Sequence, residues 1–116
     1  MKSNINNINE LNEFQKIAEI LIKIRETITN ETDTVYVGYE NAQSLIDELT
    51  NDINEIKLCN YEILEKTNIN FAPTSRFQEL SLSNGWSELY NKLSKEFDIK
   101  YKMLIGILKP HIFKNK

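Results

Sequence analysis

The chain of 116 residues holds one histidine, His111, and one cysteine, Cys59, so the side chains best suited to chemistry near neutral pH occur once each. A catalytic histidine needs a partner that orients it, and a zinc site needs several ligands at defined spacing. His111 follows Pro110 close to the C-terminus, where neither can be assembled, and is expected to be a solvated tail residue. Cys59 falls at the C-terminal end of an expected helix, the wrong end to lower a thiol pKa, and reads as a small, partly buried hydrophobe. A lone cysteine also rules out an intramolecular disulfide and a Cys-rich zinc site. The three glycines stand apart at 38, 85 and 106, so no glycine-rich phosphate loop can form. Paired-carboxylate catalysis could draw on any two of the 17 acidic residues, yet none sits in a telling local context. No metal, no cofactor and no enzymatic activity are therefore expected.

Binding chemistry is better represented. Glu48, Asp52 and Glu55, spaced four and three apart, form an acidic ridge along one side of an expected helix, beside its apolar stripe. Such a ridge attracts basic partners and speeds encounter, although a solvated helix face gives the same pattern. Tyr36-Val-Gly-Tyr39 places two aromatics in an irregular segment, as interface hot spots often are, or as residues covering one end of a core would be. Lys92, Lys95, Lys100, Lys102 and Lys109 interleave with Tyr90 and Tyr101 near the C-terminus. A pI near 5.2 argues against a dedicated nucleic-acid binder, whose domain is normally basic.

The elements that must position these residues are mostly helical. Phe14, Ile17, Leu21, Ile24 and Ile28 share one face of a helix expected from about Asn7 to Thr29. A polar loop over Asn30 to Asp33 leads to Thr34-Val35-Tyr36-Val37, whose β-branched and aromatic alternation predicts a short extended segment closed by Gly38. Ala42, Leu45, Ile46, Leu49, Ile53 and Ile56 predict a second helix over Glu40 to Leu58. Asn60 can cap a short third helix through Lys66, and Pro73 makes Asn68 to Ser75 irregular. Ser75-Arg-Phe-Gln78 has capping-box spacing, so a short helix to about Ser83 is preferred over a strand at Leu80–Ser83. Asn84-Gly85 breaks the chain. Trp86, Leu89, Tyr90, Leu93, Phe97, Tyr101, Leu104 and Leu108 then keep one face of a long helix that Pro110 should end. The expected fold is mainly α: one domain over residues 1–116, a compact bundle of three longer and two short helices with one short extended segment.

Composition agrees with a single ordered domain. The hydrophobic share is 41% and charged residues make up 27%, with only three Gly and two Pro, which favours helix over disorder. The 15 Asn and 16 Ile fit the codon bias of an A/T-rich bacterial genome. The first eight residues lack the apolar core of a signal peptide, and the longest apolar run, Met103 to Leu108, falls far short of the ~20 residues that span a bilayer. A cytoplasmic location without membrane contact is expected. Net charge is −3 but uneven. Residues 1–91 carry 7 basic and 15 acidic side chains, or −8, and residues 92–116 carry 7 lysines against Glu96 and Asp98, or +5.

Residues 71–86, Phe-Ala-Pro-Thr-Ser-Arg-Phe-Gln-Glu-Leu-Ser-Leu-Ser-Asn-Gly-Trp, resemble a group of small stand-alone bacterial proteins with a FAPT–x–x–x–QE–x–S–x–x–NGW signature. The likeness spans residues 36–98, roughly half the chain, and departs at Ser75, where glycine is expected. It implies no reaction. Read physically, Pro73 and Gly85 would reverse the chain, Gln78 and Glu79 would satisfy backbone groups, and Trp86 would plug the core between them. Gln78, Glu79, Ser81 and Asn84 are the one polar cluster it offers for an active site. In size, acidity and lack of catalytic residues the chain is also similar to immunity proteins of contact-dependent inhibition and related toxin systems. That likeness implies a protein partner, a cognate toxin domain of basic, nuclease type, and no direct contact with nucleic acid. The surface expected to meet it is the ridge of Glu48, Asp52 and Glu55 with Tyr36 and Tyr39. The alternative is a helical adaptor or structural protein that could pair as a homodimer through its last helix.

Overall fold

The computed structural model describes residues 8–112, except for the side chains of Tyr36 and of residues 109–112. Five α-helices follow one another: α1 (Ile8–Thr27), α2 (Ala42–Lys57), α3 (Tyr61–Asn70), α4 (Arg76–Asn84) and α5 (Ser87–Ile112). Helix α1 packs against both α2 and α5, while α3 and α4 close the end of the molecule where α2 leads into α5. The last helix has 26 residues, which at 1.5 Å per residue is about 39 Å. It runs nearly the length of the 44 × 24 × 23 Å molecule and explains a radius of gyration of 14.8 Å, above the ~13 Å of a more spherical domain.

The apolar periodicities place the core. Phe14, Ile17, Leu21, Ile24 and Ile28 of the first segment are buried, as are Leu45, Leu49, Ile53 and Ile56 of α2 and Tyr90, Leu93, Phe97, Leu104 and Leu108 of α5. Four members of the expected faces stay at the rim: Leu89 is exposed, and Ile46, Tyr101 and Trp86, the last immediately before α5, are half-buried. The place between the two chain reversals is filled by Phe71 instead of Trp86. Its ring meets Phe77 edge-on at 4.9 Å and stacks on Phe97 at 4.5 Å and Tyr90 at 6.1 Å, all favourable aromatic geometries. The buried Tyr90 hydroxyl donates to the Phe71 carbonyl at 3.1 Å.

Four local expectations are corrected. Residues 34–37 are not extended: Val35–Val37 form a 3-10 turn, with the amides of Val37 and Tyr39 donating to the Thr34 carbonyl and Gly38 donating to Val35. Without a second strand beside it, an extended segment would leave these backbone groups unpaired, whereas the turn satisfies them internally. Gly38, at φ 83°, supplies the left-handed residue that ends it.

Helix α3 runs one turn past Lys66 to Asn70, because proline restricts only the residue before it and Pro73 stands beyond the helix end. Ser75 occupies the N-cap of α4 but its hydroxyl makes no capping bond, and Gln78 accepts from the Thr74 amide instead, so the capping box is shifted by one residue. Helix α5 continues through Pro110 to Ile112, since near a helix end the missing N–H costs only one bond to Gly106. The preference for helix at Leu80–Ser83 holds, and Gly85 ends α4 at φ 78°. No strand occurs among the described residues.

Candidate partner-binding site

Helix α2 does place Glu48, Asp52 and Glu55 on one side, but the tertiary structure answers two of them with cations that the local sequence did not bring near. Lys66 of α3 donates to Glu48 Oε2 at 3.0 Å and to the Asp52 carboxylate at 3.1 Å. Arg76, at the start of α4, adds an ion pair to Glu48 at 3.4 Å. Asp52 is only 2% exposed, so it is an interior anchor and not a surface group. Glu55 accepts from Asn60 Nδ2 at 2.8 Å and stays half-exposed. Three carboxylates against two cations leave one net negative charge, and the ridge exerts much less long-range pull than the sequence implies.

Tyr39 completes the cluster. Its hydroxyl donates to Glu48 Oε2 at 2.8 Å and accepts from Arg76 Nη1 at 2.6 Å. The guanidinium carbon lies 5.3 Å from the centre of the Tyr39 ring, within cation–π range. Its backbone is fixed as well: the buried Thr34 donates through Oγ1 to the Tyr39 carbonyl at 3.1 Å. The side chain of Tyr36, the other expected aromatic, lies outside what the structure describes. Sequence reasoning missed Lys66 and Arg76, and no local signal could have found them, because they lie 14 and 28 residues from their partners.

The electrostatics follow from this packing. Burial and then the hydrogen bond to Glu48 push the Tyr39 phenol up from 10.0 to about 12. Burial also works to raise Glu48, but hydrogen bonds from Tyr39 and Lys66, with the charges of Lys66 and Arg76, outweigh it and hold that carboxyl below its usual range. Asp52 goes the other way: burial outweighs Lys66 and keeps its carboxyl raised. Beneath the cluster the void among Tyr39, Leu45, Leu49, Phe77 and Leu80 is only ≈10 Å³, too small to hold a substrate. A ligand could meet the cluster only at the surface.

The signature's polar residues do not converge. Ser81 is fully buried and donates to the Gln78 carbonyl at 2.8 Å. Asn84 reaches the backbone of Asp33, and Gln78 is committed to the Thr74 amide. Gln78 thus satisfies a backbone group at a turn, as the physical reading of the signature expects of it, while Asn84 ties α4 to another segment and Ser81 bonds within its own helix. Beside Gln78, however, a groove of ≈590 Å³ opens between α5 and the 71–75 turn, lined by Asn68, Phe71, Ala72, Pro73, Tyr90, Asn91, Ser94, Lys95, Phe97 and Asp98.

Cys59 is half-buried, and burial, then the charge of Glu10, push its thiol up, away from the reactive thiolate form. The side chain of His111 is not among those described. Among the described residues no three His, Cys, Asp or Glu side chains gather as a metal site, and no helix is long and apolar enough to cross a membrane. No protein-family model, curated protein or solved structure matches this chain.

Proposed function

We propose that the protein acts by binding another protein, as an immunity-type inhibitor that holds a cognate toxin domain in the cytoplasm and blocks it. The observation that carries this reading is the Tyr39–Glu48–Arg76 cluster. Tyrosine and arginine dominate interface hot spots, and here both are half-exposed or exposed on an otherwise filled core. They are already ordered by bonds to each other and to Glu48 of α2, so little conformational freedom remains to be lost on association. The acidic balance of the chain, −3 overall, suits a basic partner such as a nuclease-type domain.

The test is growth rescue: the C-terminal domain of a large secreted protein encoded immediately upstream should kill alone, co-expression with this protein should restore growth, and the purified pair should form a complex. Tyr39→Ala and Arg76→Ala should each weaken that complex by about 2 kcal/mol, roughly thirtyfold, without loss of helix by circular dichroism. Charge reversal at Asp52 would break a buried pair and confuse folding with binding, so Glu55→Lys is the cleaner probe of the ridge. It should have a smaller effect than either cluster variant. Rescue that survives loss of both Tyr39 and Arg76 would remove the cluster from the interface.

A second reading, a non-catalytic adaptor that pairs through α5, draws support from Ile99 and Met103, 58% and 49% exposed one turn apart on that helix. The lysines at 92, 95 and 102 on the same helix oppose self-association at low salt. Sedimentation of the isolated protein separates the readings: a stable dimer without partner favours the adaptor.

A further inference from the structure

The groove beside α5 has a chemistry that the Tyr39 cluster does not use. Beneath it lie the rings of Phe71, Tyr90 and Phe97, locked by stacking and almost wholly buried, and the accessible apolar lining includes Ala72 and Pro73. One wall is a single face of α5, where Asn91, Ser94, Lys95 and Asp98 recur at spacings of three, four and seven, about 10 Å along the helix. The other wall is Asn68 with the Ala72–Pro73 turn. Asp98 is already answered by Lys102 at 3.0 Å. Lys95 has no carboxylate partner among the described residues, and the side chains of Asn68 and Asn91 make no hydrogen bond there. The groove thus presents one uncompensated ammonium and two free amides beside the apolar Ala72–Pro73 turn. Its volume of ≈590 Å³ falls in the range of ligand sites, ~300–1,000 Å³. Pro73, Asn91, Lys95 and Asp98 are exposed along its rim, so a chain can lie across it without being enclosed.

We propose that this groove binds an acidic peptide segment of a protein partner, one carboxylate meeting Lys95 and the Asn91 or Asn68 amide while a neighbouring apolar side chain rests against Ala72 and Pro73. Charge complementarity selects the occupant: with Asp98 neutralised, the open charge is positive, and free amides complete the hydrogen bonding that an ammonium alone leaves unmet. The site is distinct from the Tyr39 cluster. Arg76 and Gln78 leave α4 at 100° per residue, nearly opposite one another, one toward each.

The experiment titrates isotope-labelled protein with the capped peptide acetyl-Phe-Glu-Leu-Glu-amide, its Gln counterpart, and free glutarate, following backbone amide signals. The acidic peptide should shift the signals of Asn91, Lys95 and Asp98, bind about tenfold more tightly than the Gln peptide, and lose that advantage in Lys95→Glu. Lys100→Glu, on the same helix but lining the groove toward α1, should bind as the native protein does. Equal binding of the two peptides, or an undiminished Lys95→Glu, would overturn the proposal. Glutarate binding as tightly as the peptide would overturn the peptide as occupant and assign the groove to small acids. Rescue by the Tyr39 cluster is read separately, so either proposal can fail without the other.

Discussion

Asn84 grips the backbone of Asp33 with both ends of its side-chain amide: Oδ1 accepts from the Asp33 N–H at 2.7 Å, and Nδ2 donates to the Asp33 carbonyl at 2.9 Å. A further bond from Nδ2 to the Leu80 carbonyl at 2.8 Å fixes the amide on α4. The C-terminal end of α4 is thereby tied to the loop that leads into the 35–37 turn and Tyr39. Asn84→Ala should lower the unfolding free energy by about 1–2 kcal/mol, because two loop bonds vanish at a partly solvated site. Asn84→Asp keeps the acceptor and should lose about half of that. Urea midpoints measure both, and an unchanged midpoint for the alanine variant would show the clamp to be without net effect.

Phe71 is the ring on which Phe77, Tyr90 and Phe97 converge, and it is 6% exposed. Phe71→Ala should cost about 3–5 kcal/mol, the usual range for a large aromatic removed from a core. Phe97 also carries Tyr101 at 5.5 Å, so the loss should spread to that contact and disturb near-ultraviolet circular dichroism more than far-ultraviolet. A loss below about 1 kcal/mol would mean that the four rings do not act as one packing unit.

Thr74 stands at φ 61°, a left-handed conformation that crowds its branched side chain. Left-handed backbone costs an L-residue roughly 1–2 kcal/mol, while glycine adopts it freely and loses about 0.5–1 kcal/mol through chain entropy. Thr74→Gly should therefore stabilise the exposed turn slightly, by about 0.5–1 kcal/mol at most. Loss of the Thr74 hydroxyl bond to the Pro73 carbonyl, 2.6 Å in the native turn, acts against this gain. A lower thermal midpoint in the variant would show that the hydroxyl bond outweighs the strain.

High pH should loosen the cluster. The Tyr39 phenol is raised from 10.0 to about 12, by burial first and then by Glu48. Tyr101 is raised by burial and by its hydrogen bond to Glu65 at 2.6 Å. For Lys66 burial works to lower the ammonium, but its bonds to Glu48 and Asp52 prevail and hold it above its usual value. Each of these groups keeps its proton more tightly folded than unfolded, so the folded state binds more protons in this window and stability falls as pH rises. The decline should begin near pH 10 and be complete for Tyr39 near pH 12. Tyr39→Phe should flatten it. A stability curve of unchanged slope in that variant would remove Tyr39 as its source, with phenol ionisation followed by ultraviolet absorbance as the independent readout.

The helices themselves were legible in the order of residues, because apolar spacing of three and four records which side of each helix must leave water. Asn41 and Asn60 cap α2 and α3 through bonds their own neighbours supply, and Gly85 ends α4 for a reason confined to its own backbone. Where the deciding partner is distant, the sequence was silent or pointed elsewhere. The β-like pattern at Thr34–Val37 gave way to a turn because pairing depends on a second strand that the fold does not provide. The acidic ridge is real as a helical pattern, yet its charge was settled by Lys66 and Arg76, which arrive from α3 and α4. Local periodicity determined which residues go inside. Only the tertiary structure decided which charges are cancelled and which, like Lys95, remain open, because Coulomb interactions depend on distance in space and not on separation along the chain.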